Sequence, residues 1–113
     1  MNEAVLRFQK MIESNPANHL ARFSLAKALF DAGQFAEARG HLRQALDQKP
    51  DWMLVQILLG KCDLALGDRA AARTAFERGL RLAVEQNHEG PQAELEGLLA
   101  ELGPGSPGAV KPA

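Results

Sequence analysis

The sequence predicts an all-α fold, a short solenoid of antiparallel helical hairpins. Residues recur at an interval of 34, glycine and proline punctuate the chain in the same register, and apolar residues between them follow helical spacing. Pro16 recurs as Pro50, Gly33 as Gly67, Leu20 as Leu54, Phe23 as Ile57, Leu25 as Leu59, Ala26 as Gly60 and Lys27 as Lys61. The second half of the unit occurs three times: Ala4, Ala38 and Ala72; Phe8, Leu42 and Phe76; Met11, Ala45 and Gly79; Ile12, Leu46 and Leu80.

Taken in order, residues 1–16 form half a unit, with a helix over Glu3 to Ser14 that carries the second-half pattern and nothing in front of it. The first full unit spans 17–50. Its helix A runs from Ala17 to Ala32, Gly33 supplies the left-handed residue that ends it, and helix B covers Phe35 to Gln48. The second unit spans 51–86. Pro50 suits the first turn of its helix A, Asp51 to Leu66, where an N–H is not needed, and Asp68 caps its helix B, Arg69 to Gln86. Pro91 to Leu102 carries Leu95, Leu98, Leu99 and Leu102 at helical spacing outside the 34-residue register and is expected to be a capping helix. Residues 103–113, rich in glycine and proline, are expected to be a disordered tail.

The chain has 113 residues, 46% hydrophobic and 24% charged, which suits one globular domain. A net charge of −1 and a pI near 6.3 imply neither a nucleic-acid nor an anionic-lipid partner. The sole cysteine, Cys62, permits no internal disulfide, so a reducing cytoplasm is the expected setting. Glu3, Arg7, Lys10 and Glu13 interrupt the first residues, which lack the unbroken apolar stretch of a signal peptide, and the apolar run from Met53 to Gly60 is too short to span a membrane.

This pattern resembles the tetratricopeptide repeat. The resemblance covers Glu3 to Gln86 and rests on the 34-residue period with Leu25, Ala26, Gly33, Ala38, Leu42, Ala45 and Pro50 in one unit and Leu59, Gly60, Gly67, Ala72, Phe76 and Gly79 in the next. The usual tryptophan of helix A is Arg22 and then Gln56, the later aromatic is Leu29 and then Asp63, and Val84 stands where the second unit's terminal proline belongs. The resemblance implies a right-handed superhelix whose A helices line a concave face holding an extended peptide or a partner helix.

Carried over to this chain, that concave face comprises Leu20, Phe23, Lys27, Phe30 and Asp31 from one unit and Leu54, Ile57, Lys61, Leu64 and Ala65 from the next. Mainly apolar, with two lysines one repeat apart, it suits a ligand with apolar anchors beside a carboxylate. The lysines have a plainer reading as solvated residues. Repeats of this family that clamp the terminal carboxylate of heat-shock chaperones use a Lys and Asn pattern, which Phe23 and Ile57 interrupt.

Helix A of the second unit is apolar almost all round and needs cover on every side. The cover is the chain's own C-terminal helix folding back, a homodimer interface or a partner protein. Trp52 is read as packing between repeats or as a contact anchor. Cys62, among Leu58, Leu59 and Leu66, reads as core, and His19, His41 and His88 lack metal-ligand spacing. Arg39, Arg43, Arg69, Arg73, Arg78 and Arg81 alternate with acidic residues on the B helices, which predicts a solvated outer face with i, i+4 ion pairs rather than an RNA strip. The sequence thus predicts a protein-binding module that is not an enzyme, takes no cofactor and binds a protein or peptide; the alternative is a self-associating element whose groove its own C-terminal helix covers.

Overall fold

The computed structural model describes residues 2–103, and among them six helices follow one another: α1 (Glu3–Ser14), α2 (His19–Asp31), α3 (Phe35–Gln48), α4 (Met53–Ala65), α5 (Arg69–Glu85) and α6 (Glu89–Leu102). Of the expected tail, all but Gly103 lies outside the described residues. None of these helices is long and apolar enough to cross a membrane.

Local chemistry sets the boundaries. The side chains of Asn2, Asn18 and Asp68 accept from the N–H groups of Ala4 at 2.8 Å, Ala21 at 3.0 Å and Ala71 at 3.0 Å, satisfying donors that have no partner in a helix's first turn. Gly33 and Gly67 take φ of +80° and +84°, and the residue after each donates back across the turn, Gln34 to Leu29 and Asp68 to Asp63, both at 2.8 Å. Asn87 does the same after α5 with φ 59°, and His88 donates to the Ala83 carbonyl at 2.9 Å.

Three expected helix starts move. α2 begins at His19 and α4 at Met53, two residues later than expected in each case, because Asn18 caps the one and a turn closed by Trp52 N–H on the Lys49 carbonyl at 3.2 Å precedes the other. Pro50 therefore lies in that turn and not in the helix. α6 begins at Glu89 instead of Pro91, and Pro91 sits in its first turn, where a proline removes no helical hydrogen bond.

Each helix packs on its neighbours in sequence and α2 also touches α4, so α2, α4 and α6 form one layer and α1, α3 and α5 the other. The molecule is elongated, 51 × 30 × 22 Å, as stacked repeats require. Two apolar clusters fill it, one around Val5, Leu25, Leu29, Leu42, Val55, Leu59 and Cys62, the other around Met53, Ile57, Phe76 and Leu95. α4 belongs to both. It packs on α2, α3 and α5 and shares the second cluster with α6, while Leu54 on it stays 49% exposed. Two polar side chains are buried on it. Asp63, 2% exposed, meets Arg39 of α3 at 3.5 Å, and Gln56, 5% exposed, keeps Oε1 without a hydrogen-bond partner among the described residues.

α6 is a third A helix in a longer register. Its cap His88, buried Leu95 and terminal Gly103, at φ +82°, correspond to Trp52, Leu59 and Gly67 with an offset of 36 residues in place of 34. The offset grows because α5 has 17 residues where α3 has 14. Leu95, Leu98, Leu99 and Leu102 pack into the second cluster. Arg69 donates to the Leu102 carbonyl at 3.0 Å and Arg73 to that of Gly103, supplying positive charge where the helix C-terminus is electron-rich. The outer arginines are thus structural in part: Arg39, Arg69 and Arg73 each tie a B helix to the next A helix, and the expected i, i+4 ion pairs on α3 and α5 do not form among the described residues.

Candidate functional site

The three A helices enclose a hollow of about 340 Å³ on their shared face, lined by Phe23, Lys27, Phe30 and Asp31 of α2, Leu54, Ile57, Leu58 and Lys61 of α4, and Glu94 of α6. Its floor is set by packing beneath it. Phe23 rests on Trp52 with ring centroids 5.2 Å apart, Phe30 meets Phe35 edge-on at 5.2 Å across the Gly33 turn, and Ile57, 5% exposed, reaches into the second cluster. Trp52 also takes the edge of His19 at 5.5 Å, so it packs between repeats, one of its two readings from the sequence.

The rim is charged and balanced. Lys27 Nζ lies 3.4 Å from Asp31 on its own helix, with both side chains about 60% exposed, and Lys61 Nζ lies 2.9 Å from Glu94 of α6. Exposed pairs of this kind contribute little to stability, but they fix where charge stands along the hollow.

Seven of the ten groove residues expected from the sequence, Phe23, Lys27, Phe30, Asp31, Leu54, Ile57 and Lys61, share this hollow, and Ala65 is not among its lining. Leu20 does not; it is 65% exposed on the first turn of α2. Leu64 turns instead to the cluster formed with α5 and α6. Leu58 and Glu94 complete the lining and were not expected. Glu94 was recoverable from the 36-residue spacing of Leu59 to Leu95 and Gly67 to Gly103, which brings α6 beside α4 as the next A helix. Through Glu94, α6 contributes to the wall of the hollow.

A tetratricopeptide repeat family model matches residues 1–56 and again residues 29–102. The chain belongs to the tetratricopeptide repeat family. Members of the family serve as protein–protein interaction modules and are generally not enzymes. The chain is 41% identical over 94 residues to the TPR repeat-containing protein PA0015 of Pseudomonas aeruginosa, covering 83% of this chain and 90% of that protein. It is 34% identical to the Hsp70-Hsp90 organizing protein of Triticum aestivum and 33% identical to DnaJ homolog subfamily C member 7 of Homo sapiens, of which it spans 16% and 18%. The solution structure of protein BPP2914 from Bordetella parapertussis superposes with a TM-score of 0.79 at 36% identity, over 90% of this chain and 89% of that one.

Proposed function

We propose that this tetratricopeptide repeat protein is an adaptor that holds a segment of a partner protein in the hollow between α2, α4 and α6. One observation carries the reading. The hollow joins an apolar floor of Phe23, Ile57 and Leu58 to a charged rim on three helices, so apolar anchors can bury area while the rim fixes register. The exposure of Leu54, 49%, at its edge leaves a large apolar side chain to be covered by a ligand. A reducing, cytoplasmic setting agrees with Cys62, whose thiol is fully buried and held up to about 11 by that burial and by Asp63.

The chaperone-related relatives contain this repeat within much longer chains, so the repeat is the shared part and their whole architecture is not carried over. Affinity capture compares the wild type with a Leu54→Asp variant and with a Lys27→Glu/Lys61→Glu variant, all three checked by circular dichroism. A protein retained by the wild type and lost from both variants supports the reading. The same proteins retained by all three would overturn it.

A further inference from the structure

Glu94 occupies, on α6, the position that Leu58 occupies on α4, 36 residues earlier. Leu58 shares the hollow with Lys27, and Glu94 shares it with Lys61, the residue one repeat after Lys27. A periodic position that is apolar beside the first lysine is therefore acidic beside the second. The acid is engaged: its carboxylate lies 2.9 Å from Lys61 Nζ, closer than Asp31 stands to Lys27 at 3.4 Å. Together the four groups, Lys27, Asp31, Lys61 and Glu94, bring the net charge of the rim to zero. A ligand carboxylate approaching Lys61 must displace an anion already seated there or lie against it.

We infer that Glu94 is a specificity-determining residue of the groove, an internal counter-anion that occupies Lys61 and turns the hollow away from acidic ligands toward apolar segments of a partner protein. The inference rests on the groove reading above and deepens it. Discrimination works by repulsion as much as by attraction, because a like charge facing a ligand carboxylate disfavours the wrong partner without adding affinity for the right one. Glu94 is suited to that role because its side chain is 45% exposed and holds up none of the core, so its charge can be removed without disturbing the fold.

The test is selection of short random peptides displayed on phage against three proteins: the wild type, Glu94→Gln and Glu94→Gln/Lys61→Gln. Wild-type pools should gain apolar residues with no excess of Asp or Glu over the starting library. Glu94→Gln pools should gain acidic residues by about threefold to fivefold, the scale of one exposed like-charge contact. The double variant should lose that gain. Equal acidic content in the wild-type and Glu94→Gln pools, acid-rich wild-type pools, or a gain that survives in the double variant would each overturn the role of Glu94 while leaving peptide binding intact. No enrichment by any of the three would remove the groove reading itself, and the role of Glu94 with it.

Discussion

Phe76 fills the space that a side chain on Gly60 would need: a β-carbon there would stand 2.5 Å from the ring's Cδ1. In the preceding repeat the same two positions hold Ala26 and Leu42, both fully buried, so a methyl present on one helix is matched by a smaller residue on the other. Gly60→Ala should lose about 1–2 kcal/mol in urea unfolding, the strain of overpacking exceeding the gain in helix propensity. Gly60→Ala/Phe76→Leu, which copies the first repeat, should recover at least half of that loss. Wild-type stability in the single variant would mean the ring is free to move.

Asp63 and Arg39 should make stability depend on pH in the acid range. Burial holds the Asp63 carboxyl above its ordinary value of 3.8, against the lowering effect of the Arg39 contact. A carboxyl raised on folding binds its proton more readily in the native state, so its contribution to stability falls as pH rises from the ordinary value through the raised one. Asp63→Asn should flatten that slope. Arg39→Met, which keeps the apolar stem and strands the buried charge, should cost about 1–3 kcal/mol at neutral pH and less in acid, where Asp63 protonates.

His41 gives a slope of opposite sign. Its Nδ1 lies 3.1 Å from the Arg22 guanidinium, which can only donate, so the ring is neutral there. Burial first, and Arg22 second, hold it below 6.5. Stability from this group is present above 6.5 and lost as pH falls through the lowered value. His41→Gln should abolish that loss in thermal melts run from pH 7 down to pH 5, and an unchanged profile would detach the histidine from it.

Gln56 should be improvable. Its Oε1 is buried without a partner among the described residues, a state that costs about 1–3 kcal/mol relative to a satisfied or apolar group. Gln56→Met, similar in length and shape, should raise the melting temperature by several degrees. A fall would show that the oxygen holds a buried water.

The hairpins and most of the groove were legible because a 34-residue period and the left-handed residues Gly33 and Gly67 write themselves into the sequence. The period names a helix but not its rotation, which is why Leu20, Leu64 and Ala65 were assigned to the hollow along with residues that do line it. The third A helix was hidden by two features: α5 is longer than α3, and Asn87 takes over the left-handed turn that glycine marks elsewhere. With α6 out of register, the 34-residue period did not place Glu94 beside Lys61; only the 36-residue offset does. The burial of Asp63 was equally illegible, since its partner Arg39 lies 24 residues earlier on a helix that reads as solvated.

α4 stands in this molecule as a keystone stands in an arch. Val55, Leu59 and Cys62 press toward one flank while Met53 and Ile57 press toward the other. Neither flank can open without baring apolar side chains of the same helix, so the two clusters should exchange their amide protons and melt in step. A guest resting on Leu54 and Ile57 would brace both flanks at once, and its arrival would register as slowed exchange as far away as α1.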